Sequence, residues 1–376
     1  MSKRGNREGS IYQTNDGRWR GSVTLNSGAR KYVSGRTREE VAEKLSIILG
    51  KNAVGGAISI GGRTVGSWLT TWLEDEVRPS VRQNTYYDYA GIVKNHLRPR
   101  MGSRKLVELS AGDISRFHQE LLASGVTPSR LLKIHRVLSR SLRIAAKWGY
   151  VDRNVATLVS PPRVEEKEPS FLTSSQVSQL LEVIKGSPDE SRWLLALLGL
   201  RQGEVLGLPW DAVDLDTGEL RIKQALQRQS KVGLTIVPPK SRSSRRTVLL
   251  PPQVTGALKA RRVAQAADRL KCGAVWGNDW DLVFTSPTGL PIDPSADHKA
   301  WKSLLSSADI KVMRLHDARH TAATLLLRSG VSTRAAMEWL GHSQVSQTMR
   351  YTHVLPEVAR DTSSRMGKAM FGDSQT

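Results

Sequence analysis

The amino-acid sequence predicts a multidomain protein: a small three-stranded β-sheet with one helix, then an all-α domain, then a mixed, mainly α-helical domain of the α+β type. Three observations support this prediction. The chain has 376 residues, more than a single hydrophobic core usually serves. Its apolar residues recur with period two near the amino terminus and with helical spacing after it. Two stretches with the composition of linkers, 56–64 and 156–168, separate the three regions.

The first region, 1–55, has the pattern of a small antiparallel sheet followed by a helix. Its stretch GSIYQTNDGRWRGSVTLNSGARKYVSG alternates apolar and polar residues. Asp16-Gly17 and Asn26-Ser27-Gly28 interrupt the alternation as hairpin turns do, so three strands are predicted. Thr37 and Glu40 have the spacing of a capping box at the start of a helix. A unit of this size is too small to be an enzyme.

Basic residues lie on or beside these strands and indicate contact with nucleic acid. A basic sheet of this size can enter the major groove of DNA, whereas the alternative is an ordinary solvated surface. We predict DNA as the ligand. The candidate contact residues are Arg18, Arg20, Arg30 and Lys31.

The second region, 65–155, follows a glycine-rich linker and has helical periodicity throughout. In its last predicted helix, 129–148, basic residues recur at steps of three and four along one side while leucine and isoleucine supply the apolar surface. A helix that lies along a phosphate backbone needs this arrangement. The predicted DNA-binding residues of this helix are Arg130, Lys133, Arg136, Arg140 and Arg143.

The third region, 169–360, follows a polar joint bounded by prolines and precedes a tail at 361–376. Its patterns are mixed, which favours helices and short strands in one domain. Helices are predicted near 174–185, 190–199, 252–268 and 294–307, and strands near 219–226, 233–238 and 245–250.

Composition restricts the ligand and the compartment. The net charge of +21 and the pI near 10.4 favour a polyanionic partner, nucleic acid before an anionic membrane. No apolar run of about 18 residues could span a bilayer, and the first ten residues lack the apolar core of a signal peptide. We therefore expect a cytoplasmic protein without membrane contact. The single cysteine, Cys272, excludes an internal disulfide and a cysteine-based zinc site.

Four short stretches of the third region concentrate cationic and imidazole side chains, and a tyrosine follows them. The stretches are LLGLRQGEVLGLPW, PPKSRSSRRTVLL, RLHDARHTAATLLL and EWLGHSQ. In a helix beginning near His316, that side chain and Arg319 project on the same side. Tyr351 comes next and is the only tyrosine after Tyr150.

Metal and nucleotide chemistry fit these stretches poorly. His316 and His320 have the i, i+4 spacing of a zinc helix, but the glutamate of that motif is absent and Arg319 would repel the metal. No phosphate-binding loop of the G-x-x-x-x-G-K-[ST] type occurs. A metal-dependent nuclease needs clustered carboxylates, whereas these stretches contribute only Glu204 and Asp317. We therefore expect neither a metal nor any other cofactor.

The residue types suit attack on a phosphodiester without a metal. Two guanidinium groups can bind the non-bridging oxygens as negative charge accumulates on them. A lysine can protonate the leaving alkoxide, and a histidine can accept a proton from the attacking hydroxyl. A tyrosine nucleophile would store the bond energy in a covalent phosphotyrosine, so that rejoining needs neither ATP nor magnesium.

The four stretches and the tyrosine, in this order and at this spacing, resemble the active-site boxes of the tyrosine recombinases, the family of phage integrases and their relatives. The resemblance extends over nearly the whole chain: 65–154 resembles the helical core-site-binding domain, and 1–55 resembles the AP2-like arm-site-binding domain. It implies that Arg201 and Arg319 bind the scissile phosphate, that Lys240 is the general acid and that His316 is the base or proton relay. By the same resemblance His342 donates to the phosphate and Tyr351 forms a 3′-phosphotyrosine. Ala318 and Gln202 depart from the residues usual at their positions.

The resemblance also implies partners and an assembly. These are double-stranded DNA at core-type and arm-type sites, a homotetramer that exchanges strands through a Holliday junction, a host DNA-bending protein and an excisionase. The C-terminal stretch after Val354, LPEVARDTSSRMGKAMFG, would pack against a neighbouring protomer. All of this would take place in the cytoplasm of a bacterial host.

Other interpretations of the same residues remain open at this point. Arg201 could cap a helix, and Lys240 could be one member of a solvated basic turn with Arg242, Arg245 and Arg246. Tyr351 could be an ordinary half-buried aromatic. A chromosome-resolving or transposon recombinase and a type IB topoisomerase would use the same chemistry, and a catalytically silent regulator would keep only the DNA binding.

Overall fold

The computed structural model describes residues 10–14, 17–24, 30–53, 63–164, 170–239 and 244–341. The chain divides into two compact units, 1–166 and 167–376, which are described separately below. The predicted fold class is confirmed: a three-stranded sheet with one helix and an all-α region lie in the first unit, and a mixed, mainly helical region forms the second.

The amino-terminal part is an antiparallel sheet with one helix packed on it, as predicted. The strands β1 (Ser10–Gln13), β2 (Trp19–Thr24) and β3 (Arg30–Gly35) are ordered β1-β2-β3, and α1 (Arg38–Ala53) follows. The Thr37 hydroxyl caps α1 by accepting the Glu40 amide at 3.2 Å. The Glu40 carboxylate accepts the amide of Arg36 at 2.9 Å.

Gly21 in β2 allows α1 to lie close to the sheet. A Cβ at this position would lie 2.6 Å from Leu45 Cδ1 and 2.8 Å from Val41 Cγ1. Val23 completes the small core on this side, where Val41 and Leu45 are buried. The opposite face of the sheet therefore remains open to solvent.

The helical region consists of two interrupted helices followed by two regular ones. The first is α2 (Val65–Thr71), a π-helical segment (Trp72–Val77) and α3 (Arg78–Ser80); the second is α4 (Gln83–Ile92), a π-helical segment (Val93–Leu97) and α5 (Arg98–Met101). The regular helices are α6 (Ala111–Ala123) and α7 (Pro128–Lys147).

A proline explains each π-helical segment. Pro79 and Pro99 have no N–H to donate to the carbonyl four residues earlier. The residue before each proline donates instead to the carbonyl five residues earlier, Arg78 to Leu73 and Arg98 to Val93. The helix therefore widens for one turn and continues instead of ending.

The second unit consists of seven α-helices and two small sheets in its described residues. Its helices are α8 (Ser174–Ile184), α9 (Glu190–Leu197), α10 (Gln202–Leu206), α11 (Pro252–Cys272), α12 (Pro294–Ser307), α13 (Leu315–Arg328) and α14 (Thr333–Leu340). The four helices predicted from periodicity are confirmed as α8, α9, α11 and α12, and the helix expected near His316 is α13. The central helix is α9, against which α8, α10, α11 and α13 pack.

The single strand predicted near 219–226 is wrong, because two strands occupy this stretch. They are β4 (Glu219–Ile222) and β5 (Ala225–Gln229); β4 pairs with β7 (Arg246–Leu249), and β5 pairs with β6 (Gly233–Val237). The chain leaves the first sheet because β5 packs on α10: a Cβ at Gly207 would lie 2.4 Å from the backbone nitrogen of Leu226. The Gln224 side chain, between the two strands, donates to the Gly207 carbonyl at 2.9 Å.

In the described ranges, no helix has both the length and the apolar character that crossing a bilayer requires.

Candidate active site

Arg201 lies where the chain turns from α9 into α10. Gly199 makes this turn with a φ of +91°, a conformation that favours glycine. A Cβ there would lie 2.6 Å from Leu340 Cδ2, so the turn also packs directly against the end of α14. Arg201 then precedes the first turn of α10, and its side chain remains 34% exposed.

Glu204, three residues later, is a buried carboxylate shared by two arginines. It accepts the Arg201 backbone N–H at 3.0 Å and Arg201 Nη1 at 2.6 Å. Arg246 in β7 donates to the same carboxylate at 3.1 and 3.3 Å. Burial raises the pKa of Glu204, but the charges and hydrogen bonds of Arg246 and Arg201 outweigh burial and leave the pKa below its ordinary value. Glu204 is therefore ionised at neutral pH.

Arg319 projects from the buried side of α13. This helix begins at Leu315, where the Asp317 carboxylate accepts the backbone N–H of Arg314 at 2.9 Å. Arg319 is only 3% exposed and donates to the carbonyls of Gly199 (at 2.5 Å) and Leu340. The guanidinium group thus joins the α9–α10 turn to the end of α14.

Three arginines from three different elements converge on the carboxyl end of α14. This helix ends at Gly341 in the left-handed conformation, with φ 64° and ψ 47°. The three consecutive carbonyls of residues 339–341 each accept a hydrogen bond from a different arginine. Arg246 Nε donates to Trp339 at 2.6 Å, Arg319 donates to Leu340, and Arg201 Nη2 donates to Gly341 at 2.8 Å. Arg201, Arg246 and Arg319 are called the arginine cluster below.

His316 and His320 lie on α13, the helix that also carries Arg319. His316 is exposed, whereas His320 is half-buried, and their rings meet edge to face with centroids 5.0 Å apart. The protein surrounding His316 and the nearby charge of Arg319 lower its pKa, so the ring is neutral at neutral pH. Burial and the neighbouring His316 lower the pKa of His320 to about 4.

The depressed pKa of His320 predicts a loss of stability in acid. As the pH falls below 6.5, the ordinary pKa of histidine, His320 becomes protonated in the unfolded chain. In the folded chain it stays neutral until the pH reaches about 4. The free energy of unfolding should therefore decrease across this window, by at most about 3 kcal/mol for this residue. Urea unfolding at pH 7 and pH 5 should show a smaller loss for His320→Asn than for the wild type. The exposed His298→Asn variant is the control, and an equal loss in all three proteins would contradict the prediction.

The residues around the site include two that the sequence prediction left without a role. A solvated basic turn is the wrong interpretation for Arg246, because its side chain is 7% exposed and bound to Glu204. Gln202 donates to the Asp297 carboxylate and to the Pro294 carbonyl, both at 2.9 Å, and so fastens the start of α10 to α12. Neither contact has a sequence signal, because each joins residues far apart in the chain.

Three predicted site residues, Lys240, His342 and Tyr351, lie outside the described residues. The described chain stops one residue before Lys240 and one residue before His342. Ser244, the first described residue after Lys240, is buried and accepts from Arg201 Nη1 at 3.4 Å. The structure thus brings Arg201, Arg319 and Glu204 together, with His316 on the same helix as Arg319.

In the first unit, the open face of the sheet combines arginine with tyrosine. Arg20 lies between Tyr12 and Ser34 across the strands, and Arg30 lies 6.0 Å from the ring centre of Tyr32. Both tyrosines are exposed, and the sequence prediction did not include them. For Tyr32 the available signal was its position two residues after Arg30, which places both side chains on one face of β3. Arg18 is exposed beside β2, and of Lys31 only the backbone is described, paired with Val23.

The basic residues of α7 fall into two groups. Arg130 and Lys133 lie 3.7 and 2.8 Å from the Asp88 carboxylate of α4. Arg140 donates to the Tyr89 hydroxyl at 3.3 Å. Arg136 and Arg143 are exposed to solvent.

Comparison with known proteins assigns the chain to a family. Residues 170–357 match the model of the phage integrase family, and residues 64–122 match that of the phage integrase N-terminal SAM-like domain. An integrase of Saccharopolyspora erythraea is 31% identical over 427 residues, and the match covers 98% of each chain. The DNA-bound integrase of transposon Tn1549 superposes with a TM-score of 0.67 at 20% identity, over 81% of this chain and 99% of that one. Lambda integrase, in a tetramer bound to a Holliday junction, superposes with a TM-score of 0.55 at 18% identity, over 92% and 96%. At these identities the two structures establish the fold, and the sequence matches establish that the chain belongs to the phage integrase family of tyrosine recombinases.

Proposed function

We propose that the chain is a site-specific DNA recombinase that integrates and excises a mobile element at attachment sites. The observation that supports this most directly is the convergence of Arg201 and Arg319 on neighbouring carbonyls at the end of α14. Two guanidinium groups that converge on one helix end can bind the non-bridging oxygens of one phosphodiester and stabilise the charge of the pentacoordinate transition state.

The roles of the other site residues follow from the resemblance of their stretches to the active-site boxes of tyrosine recombinases. Tyr351 attacks the phosphorus and forms a 3′-phosphotyrosine, and Lys240 protonates the departing 5′ oxygen. His316 is exposed and neutral at neutral pH, so it can accept the phenolic proton or relay it. His342 donates to the scissile phosphate. Glu204 keeps Arg201 in place through two hydrogen bonds.

The domains divide the recognition of DNA between two kinds of site. Residues 1–55 bind arm-type sites through the sheet face with Arg20 and Arg30, where tyrosine rings add stacking surface beside the cations. Residues 65–155 bind core-type sites. There the exposed Arg136 and Arg143 of α7 contact phosphates, while the basic residues paired with α4 orient the helix. Residues 169–360 hold the catalytic site, and linkers at 56–64 and 156–168 join the three.

Assembly on DNA follows the pattern of the relatives. The lambda integrase structures include a dimer on a core site and a tetramer on a Holliday junction. A homotetramer on two double-stranded sites is the matching proposal for this chain, with the stretch after Val354 contacting a neighbouring protomer. A host DNA-bending protein and an excisionase would set the direction of the reaction, in the cytoplasm of a bacterial host.

A covalent trapping experiment tests the proposed function. Duplexes selected from a random library by the full chain are nicked near the crossover, so that cleavage releases a short fragment and prevents rejoining. We expect an adduct stable in SDS, with DNA attached through its 3′ end to the peptide that includes residue 351. Binding of the selected DNA without any adduct would instead identify a catalytically silent regulator. Relaxation of supercoils without strand exchange would identify a topoisomerase.

We further expect cleavage to continue in the presence of EDTA. The charge that stabilises the transition state comes from guanidinium groups rather than from a metal ion. The measurement is the rate of adduct formation without EDTA and with EDTA in about tenfold excess over any contaminating metal. A magnesium-dependent restriction enzyme is the control that chelation is complete. Inhibition that added zinc or magnesium reverses would exclude the metal-free mechanism.

A further inference from the structure

Arg246 lies in the second of the four stretches, PPKSRSSRRTVLL, but the resemblance to the family assigns it no role. Its guanidinium group is nearly buried and bridges two features of the site. One side binds the Glu204 carboxylate at 3.1 and 3.3 Å, and Nε binds the Trp339 carbonyl at 2.6 Å. Arg246 thus contacts both the carboxylate that holds Arg201 and the helix end where Arg201 and Arg319 converge.

Charge balance distinguishes Arg246 from an ordinary structural residue. Arg201 alone with Glu204 would be a neutral pair, because their charges cancel at a separation of 2.6 Å. With Arg246 present, two guanidinium groups share one carboxylate and the group of three has a net charge of +1. Arg246 also lowers the pKa of Glu204 more than Arg201 does, although burial acts in the opposite direction. Glu204 therefore does not cancel the charge of Arg201, which is the more exposed of the two arginines.

We propose that Arg246 is a positioning residue for DNA cleavage: it neutralises Glu204 so that Arg201 keeps its charge for the scissile phosphate. By binding the Trp339 carbonyl it also fixes the end of α14, two residues before Gly341. The inference rests on the proposed recombinase function. It predicts that the effect of losing Arg246 depends on whether Glu204 is charged.

A double-mutant cycle tests this dependence. The variants are Arg246→Met, Glu204→Gln and the two combined, with Arg246→Lys as the conservative replacement that retains charge and loses the planar fork. Single-turnover cleavage of the nicked duplex gives a rate constant and an amplitude. Misfolded protein lowers the amplitude only, so the rate constant reports the folded site.

We expect Arg246→Met to slow the cleavage step by about 10- to 100-fold. Its affinity for the same duplex should change by less than about threefold, since many phosphate contacts share the binding energy. The combined variant should cleave at least about tenfold faster than Arg246→Met, because without the Glu204 carboxylate the charge of Arg201 is again uncompensated. Arg246→Lys should lie closer to the wild type than Arg246→Met does. Arg221→Met, on the neighbouring strand with a side chain 65% exposed, is the matched control and should cleave normally.

Two results would overturn the inference. One is a rate constant for Arg246→Met within about threefold of the wild type, well below the cost expected for a lost transition-state interaction. The other is a combined variant no faster than Arg246→Met, which would indicate a purely structural bridge. The combined variant leaves no unpaired charge in the interior, so it keeps the test valid if Arg246→Met alone unfolds. Failure of the wild type to form an adduct would count against the proposed function instead.

Discussion

Tyr351→Phe is expected to abolish the covalent protein–DNA adduct while leaving DNA binding intact. The phenolic oxygen is the only atom lost, and the proposed mechanism has no other nucleophile for the phosphorus. The loss should be complete within detection rather than partial. Trapping on the nicked duplex, followed by SDS electrophoresis, measures the adduct, and a mobility shift on the same duplex measures binding.

Tyr150→Phe is the matched control for this experiment. Its ring packs against Trp68 in the helical region, with the centroids 5.3 Å apart, so loss of its hydroxyl should leave adduct formation unchanged. An adduct of undiminished yield from Tyr351→Phe would assign the nucleophile to another residue. Mapping of the modified peptide would then identify that residue.

Arg201→Ala and Arg319→Ala should each slow cleavage by about 10²–10³-fold, the cost of losing one preorganised donor to transition-state charge. Binding to the duplex should weaken little, because one phosphate contact is a small part of a salt-dependent interface. The rate constant for single-turnover cleavage and the dissociation constant at fixed salt are the two measurements. A loss of affinity as large as the loss of rate would contradict the phosphate-binding role.

The two variants differ in how much of the fold they disturb. Arg201 is one-third exposed, whereas Arg319 is buried and joins two segments of backbone, so Arg319→Ala should also lower the midpoint of thermal unfolding. Arg319→Lys separates the two effects, since lysine keeps the charge but cannot reproduce the planar fork. Arg334→Ala is the control for loss of one positive charge: its side chain is 91% exposed, and cleavage should be unaffected.

The sequence predicted the helices well because their signal is local. Periodicity identified α7, α9 and α12, and the spacing of His316 and Arg319 placed both on one helix. The sequence did not predict the division of 219–226 into two strands. That division depends on the close approach of Gly207 and Leu226, which are 19 residues apart in sequence but adjacent in space.

The part of the site that the sequence did not predict also depends on contacts between residues far apart in the chain. Arg201 and Arg319 were identified from their boxes, and the structure brings them together at one helix end. The role of Arg246 was missed because a basic turn ordinarily faces water. Only its burial against Glu204, 42 residues earlier in the chain, distinguishes it from Arg245 beside it.

The hydrogen bonds to residues 339–341 determine when, during synthesis and folding, the site can form. They join residues separated by 140, 93 and 21 positions along the chain, and none of the three can form until residues 339–341 have been synthesised. Contacts of such long range are expected to form late in folding. A nascent polypeptide that ends before residue 339 therefore lacks the carbonyls on which the three arginines converge, so the arginine cluster can form only once translation has passed α14.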